Sequence, residues 1–224
     1  MLSGMGEEAF VGAPLLVGLD GELDARFKVE IVETVNGHCL DFAQSANQLE
    51  AALKEDEWDW PHMIRCLDQM LVGGARIAST IRPTRSGKGS VKPVRRARQQ
   101  FLEGLFDDPA AEPVHNRAVR HRLEHYDEYL EEAVESQPGA GLVTLYGPPS
   151  LVEVVGGPAP IYRRAFDPHS GTYTILNESV DVRALVCAVQ TIHLISHRWL
   201  ARADPLRHPL DQRAGPGTGD SRPT

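Results

Sequence analysis

The feature that most constrains this chain is an apolar stripe at helical spacing that runs through nearly the whole of its first third. Over Leu23 to Lys54, Ile31, Val35, His38, Phe42, Ala46, Leu49 and Leu53 step by three and four, which draws one line down a helix. An acidic turn, Glu55 to Trp60, precedes Pro61, a residue suited to the first turn of a second helix. Met63, Leu67, Met70, Ile77 and Ile81 mark its inward face, and Pro83 ends it. Two long helices joined by a short link predict an antiparallel pair. Residues 83–93, with Pro83, Gly87, Gly89 and Pro93 among basic residues, have loop composition. A shorter helix follows with Val94, Ala97, Phe101 and Leu105 on one side, until Asp107, Asp108, Pro109 and Pro113 break it. Val119, Leu123, Tyr126, Leu130 and Ala133 then predict one helix from about Val114 to Ser136, closed by Gly139 and Gly141.

Beyond Gly141 the period changes. Leu142 to Tyr146, Leu151 to Val155, Ile161 to Phe166 and Thr172 to Leu176 are short β-prone runs separated by Gly and Pro. The last two flank Asp167-Pro168-His169-Ser170-Gly171, which fits a hairpin with a bulge. Asp181 is placed to cap a final helix through about Ala201; Val182, Leu185, Val186, Val189, Ile192, Ile195 and Leu200 make it apolar nearly all round, which predicts a central place in the core. Residues 1–22 read as an irregular arm, and from Arg202 to Thr224 Pro, Gly and charge predict a disordered tail. The expected fold is mainly α: a single domain over residues 23–201, an antiparallel bundle of about five helices with a β-rich insertion at 142–176 before the last helix.

Charge and composition exclude several classes. The 224 residues carry 31 Asp plus Glu against 23 Lys plus Arg, a formal charge of −8, so a protein that coats nucleic acid through a broad basic surface is not expected. No run of about 18 apolar residues is present, so no membrane-spanning helix and no membrane partner are expected. The first basic residue is Arg26, so the charged start of a secretory signal is missing. Cys39, Cys66 and Cys187 are odd in number and far apart, without a CxxC pair; reduced, mostly buried thiols in a cytoplasmic protein are expected.

Signatures of chemistry are few. Gly87-Lys88-Gly89-Ser90 fails the phosphate-loop pattern, since position 82 is Arg and position 89 is Gly. Two His pairs, His121/His125 and His193/His197, have the i, i+4 spacing that can grip a transition metal from one helix face, but no HExxH order is present. His193 falls on an apolar face, where a buried neutral imidazole is expected; His38 reads the same way. No Ser or Cys carries a nucleophile signature. The segment from Arg117 to Glu128 is the richest: its apolar stripe leaves two His, three Arg and several acids off the core side. Part of that charge is accounted for by i, i+4 pairing such as Arg120 with Glu124, which is worth only ~0.3–0.5 kcal/mol.

Arg120-His121-Arg122-Leu123-Glu124-His125 resembles the R-x4-6-H motif of HEPN domains, in which a polar residue such as His121 often takes the second position. The run Leu123 to Glu128 is also similar to an "LEHFDE" stretch of small bacterial helical proteins. The resemblance covers roughly residues 24–136, with the final helix a candidate addition and the β-rich 142–176 segment outside it. HEPN domains are helical bundles of toxin–antitoxin modules, antiviral defence systems and RNA-guided effectors. The resemblance implies metal-independent RNA cleavage without a cofactor. His125 would be general base or acid at the ribose 2′-hydroxyl or the leaving oxygen, and Arg120 would stabilise charge on the scissile phosphate. His121 and Glu124 would be supporting residues. On a regular helix Arg120 and His125 point roughly 140° apart, and in the family two motifs meet across a dimer, so the resemblance implies a homodimer.

One further feature favours an anionic ligand. Arg82, Arg85, Lys88, Lys92, Arg95, Arg96 and Arg98 form a stretch of +7 without an acid, which leaves −15 for the rest of the −8 chain. Such a stretch can hold RNA phosphates or an acidic protein partner, or simply be solvated. Two other readings stay open: a non-catalytic helical interaction protein, and a metal-dependent enzyme that uses His121 and His125.

Overall fold

Aspartates set the starts of the three longest helices. The structure is a computed structural model, which describes residues 23–82, 93–115, 118–147 and 157–208; the side chains of residues 118–120 also lie outside the description. Helix α1, Ala25–Ala52, begins where the Asp24 carboxylate accepts the Arg26 and Phe27 amides. Helix α2, Trp60–Ile81, begins where Asp59 accepts the His62 amide, with Pro61 in its first turn. Helix α7, Val182–Ala203, is capped by Asp181, which accepts the Ala184 amide at 3.0 Å. Each cap satisfies amides that no helical carbonyl can reach.

Between α2 and the sheet lie α3 (Pro93–Leu105), a 3-10 turn (Pro109–Ala111), α4 (Glu112–His115), α5 (Ala118–Glu124) and α6 (Tyr126–Ser136). The predicted single helix over 114–136 is thus in pieces. Four strands follow: β1 Leu142–Tyr146, β2 Ile161–Asp167, β3 Thr172–Ile175 and β4 Glu178–Asp181. Their order in the sheet is β1-β2-β3-β4, with β1 parallel to β2 and the other pairs antiparallel. The protein is therefore mainly helical with a four-stranded sheet before the last helix.

The α1 stripe does bury Ile31, Val35, Phe42 and Leu49, while His38, Ala46 and Leu53 are half-buried at its margin. On α2, Met63, Leu67, Met70, Ile77 and Ile81 are all at most 1% exposed. Gly73 sits where a Cβ would meet the Phe42 Cβ at 3.3 Å, so its lack of a side chain lets α2 lie close on α1. Ile161, Phe166, Tyr173 and Ile175 carry the sheet into the same core. Burial of each large side chain stabilises the fold by about 1.5–3 kcal/mol relative to exposure.

Several expectations need correction. Helix α7 is not buried all round: Arg183, Cys187, Gln190, Leu194 and Arg198 form an exposed face, and Leu194 is 52% exposed. The deepest residue of α3 is Leu102, at 0% exposure, followed just past its end by Phe106 at 1%; the predicted Val94, Ala97, Phe101 and Leu105 are only half-buried. The expected tail starts too early, because Arg202 and Ala203 complete α7 and the following turn is tied back by His208 Nε2, 2.9 Å from Glu33 Oε1. The remainder of that tail, the arm 1–22 and the run Leu151 to Val155 lie outside the described residues.

The 167–171 turn does join two antiparallel strands, with Asp167 opposite Thr172 and Gly171 at φ +73°, but their register runs unbroken, without the expected bulge. Strand β4 was not expected. It follows a two-residue turn in which Leu176 and Asn177 both have positive φ, 47° and 65°. A leucine seldom takes that conformation. Here its side chain is only 2% exposed, its amide donates to the Tyr162 carbonyl at 2.7 Å, and Asn177 Oδ1 accepts the Tyr162 amide. Burial and these two bonds offset the strain. Among the described residues no helix is long and apolar enough to cross a membrane.

Candidate functional site

The segment that carries the R-x4-H spacing lies on the surface, laid against the sheet through charged and aromatic anchors. Helix α6 buries no residue fully, and Leu123, Tyr126, Tyr129, Leu130 and Ala133 are partly buried against the core. Arg122 of α5 reaches Glu178 of β4 at 3.3 Å, and its guanidinium lies 4.5 Å from the Tyr129 ring centre. Tyr126 of α6 accepts a hydrogen bond from Arg163 Nε at 3.2 Å, while the Arg164 guanidinium lies 4.7 Å from its ring. The Tyr126 hydroxyl, by hydrogen bond and then by charge, holds the Arg163 guanidinium above its ordinary value.

Beneath this surface Arg164 is held by a partly buried carboxylate. Asp68 of α2 faces Arg164 Nε at 3.3 Å through one oxygen and accepts the Tyr173 hydroxyl at 2.8 Å through the other. Burial first, and the Asp68 charge second, push the Tyr173 phenol far above its usual value, so it is a fixed neutral donor. The chain Tyr173, Asp68, Arg164, Tyr126 thus links α2, the sheet and α6.

His125 is the joint between α5 and α6. Its φ of −117° and ψ of 39° leave the helical region, although its amide still reaches the His121 carbonyl at 3.0 Å and its carbonyl the Tyr129 amide at 3.1 Å. The two pieces answer to different anchors: α5 to Glu178 through Arg122, α6 to Arg163 and Arg164 through Tyr126. The 140° separation expected between Arg120 and His125 presumes a regular helix, so it does not apply across this joint. The Arg120 side chain itself lies outside the described residues.

Around the joint, His121, Glu124 and His125 come together. The imidazole centres of His121 and His125 are 4.5 Å apart, and the His121 ring is 5.5 Å from that of Tyr129. One ligand atom from each of His121, Glu124 and His125 lies within 4.8 Å of the others. The His125 side chain is 42% exposed, and its Nδ1 is 3.5 Å from Glu128 Oε2. A carboxylate at one ring nitrogen favours the proton there and leaves the other nitrogen to act as base or ligand.

The other predicted groups are dispersed. Arg82 faces Glu112 at 3.6 Å, and Arg98 donates through Nη2 to the Thr80 carbonyl at 3.0 Å. Burial, then the charge of Arg95, lowers the Arg98 guanidinium from its ordinary value. Arg96 is exposed and Arg95 half-buried, whereas Arg85, Lys88 and Lys92 lie outside the described residues. On α7, His193 is half-buried with its Nδ1 shut from solvent and unbonded among the described residues; burial and then His197 hold its pKa below the ordinary imidazole value. Its ring centre is 6.2 Å from that of His197.

Sequence reasoning did not find Glu128, Arg163, Arg164, Asp68, Tyr173 or Glu178. Most of these are joined to the segment only by tertiary pairing. Glu124 enters the sequence reading only as a supporting residue, beside His121, for Arg120 and His125. The order H-x-x-E-H over residues 121–125, the inverse of H-E-x-x-H, is a local signal that sets two imidazole donors on one turn with a glutamate beside them. No family model, no curated protein and no solved structure matches this chain.

Proposed function

We propose that this protein is a HEPN-like, metal-independent endoribonuclease that acts as a cytoplasmic homodimer in a defence or toxin–antitoxin setting, its helices arranged as an antiparallel bundle of about five. The observation that carries the reading is His125: an exposed imidazole at a helix joint, with a carboxylate 3.5 Å from one nitrogen and a second imidazole beside it. As general base, His125 takes the proton of a ribose 2′-hydroxyl, whose oxygen attacks the adjacent phosphorus. The 5′-oxygen leaves, and a protonated imidazole, from the second motif of the dimer, returns a proton to it. Arg120 stabilises the charge on the phosphate oxygens, with His121 and Glu124 in support. The basic stretch from Arg82 to Arg98 guides RNA toward the site.

A second reading has its own observation. Arg122, in the middle of the motif, is engaged with Glu178 and Tyr129, a structural use of the segment that suits a non-catalytic interaction protein for an acidic partner.

An RNA-degradation assay separates them. Purified protein is compared with His125→Ala and Arg120→Ala, each with and without chelator. The nuclease reading expects cleavage that survives chelator and falls by about 10²–10⁴-fold in His125→Ala. Equal activity in all three proteins overturns the catalytic assignments, and no cleavage by the wild-type chain favours the interaction protein.

A further inference from the structure

We propose that His121, Glu124 and His125 form a binding site for a divalent transition-metal ion of the zinc class, with two imidazole nitrogens and one carboxylate oxygen as ligands. The site stands on its own observations, though it shares His125 and the supporting residues His121 and Glu124 with the nuclease reading.

The geometry comes from the backbone. Spacing of i and i+4 puts His121 and His125 on one turn, and the intact bond from the His125 amide to the His121 carbonyl keeps that turn closed in spite of the joint. Glu124 stands between them on the same turn. The three donor atoms already lie within 4.8 Å of one another. In a tetrahedral zinc site with bonds of ~2.0–2.1 Å, neighbouring ligand atoms are ~3.3 Å apart. The remaining ~1.5 Å is within the reach of rotamer changes in exposed side chains, without backbone movement.

Chemistry then selects the ion. Two imidazoles and one carboxylate suit zinc, nickel or copper, whereas magnesium and calcium prefer an all-oxygen shell. The Glu128 carboxylate, 3.5 Å from His125 Nδ1, is placed to hold a proton there and present Nε2 to the metal, as outer-shell carboxylates do. Three protein ligands leave a fourth position to water. The lone pair of a metal-bound His125 cannot accept a proton, so occupancy and acid–base work at that residue exclude each other. Zinc is thus an expected inhibitor of the proposed RNA cleavage.

The test is an equilibrium titration of the full chain with Zn2+, and with Co2+ for its visible absorption, using Mg2+ as a control. One transition-metal ion per chain is expected, without saturable Mg2+ binding in the same range. His121→Ala and His125→Ala each weaken binding by more than about tenfold, and Glu124→Gln weakens it less. His121→Gln and His125→Gln, close to the native side chains in size, repeat the result if either alanine variant misfolds by circular dichroism. His197→Ala and Cys187→Ser leave binding unchanged. Absence of saturable Zn2+ binding overturns the proposal. So does binding that survives loss of both His121 and His125, or that disappears with His197 or Cys187. A chain that binds zinc but never cleaves RNA sinks the nuclease reading alone; one that cleaves RNA but fails the titration sinks the metal site alone.

Discussion

Removing the Asp68 carboxylate tests whether the network beneath the site is energetically coupled. The Tyr173 side chain is 0% exposed, and its hydroxyl donates to Asp68 Oδ1 at 2.8 Å. Asp68→Ala leaves that hydroxyl inside the protein without its acceptor, which costs about 1–3 kcal/mol. The ion pair with Arg164 adds little, because Asp68 and Arg164 side chains are 29% and 20% exposed and water screens them; ~0.5 kcal/mol is a fair share. A total near 2 kcal/mol is expected for Asp68→Ala. Tyr173→Phe removes the donor and leaves a carboxylate that water can still reach, so about 1 kcal/mol is expected. In the double variant no buried hydroxyl remains to be stranded. The combined loss is then smaller than the sum of the two single losses by about 1 kcal/mol. Urea denaturation of the four proteins, with equal slopes, measures all three quantities. Additivity within ~0.3 kcal/mol would refute the coupling and reduce Asp68 to a surface carboxylate that happens to lie near Tyr173.

Two other predictions concern titratable groups. Burial pushes the Cys39 thiol up to about 12 and raises Cys66 as well, while Cys187 is exposed on α7; a thiol reagent at pH 8 should modify one cysteine quickly and the other two only on unfolding. Three fast thiols would contradict the burial described. The depressed pKa of His193 makes a signed prediction: above about pH 6.5 neither folded nor unfolded imidazole is charged, whereas below it the unfolded chain takes up a proton that the folded chain resists. Thermal stability should therefore fall as pH drops from 7 to 5, and His193→Gln should fall less steeply. A variant with the wild-type slope would remove His193 from the explanation.

How much could be read from the sequence depended on the range of the forces at work. Helices α1 and α2 were legible because their stripes are long and their Asp caps and Pro61 are local. The 167–171 hairpin was legible for the same reason: its turn residues are contiguous. The joint at His125 was not, since it answers to Arg122–Glu178 and Tyr126–Arg163, partners 56 and 37 residues apart in the chain. Strand β4 was hidden by Leu176, whose left-handed backbone is tolerated only because the side chain is buried. At the site, His121, Glu124 and His125 were visible as letters. The pairing of His121 with His125 is what i, i+4 spacing predicts; what a continuous helix conceals is the change of direction at His125.

The placement of cations bears on what can approach that convergence. Read as sequence, the +7 stretch can hold an anionic ligand or simply be solvated. In the structure Arg98 lies half-buried with its guanidinium on the Thr80 carbonyl, near the C-terminal end of α2, where a positive charge answers carbonyls that no helical amide can reach. Arg82 faces Glu112 at the same end. These two arginines stabilise a helix terminus and its neighbours before they serve any ligand. Among the described residues, the cations held against this segment are instead Arg122, over Tyr129, and Arg163 and Arg164, at Tyr126 of α6. Their positive charge favours an anionic ligand on this segment and resists a metal ion. The acids Glu124, Asp127 and Glu128 on the same segment act in the opposite sense on both. Charge around the joint is therefore mixed, and the choice between a phosphate and a metal falls to the ligand atoms themselves: two imidazoles and a carboxylate.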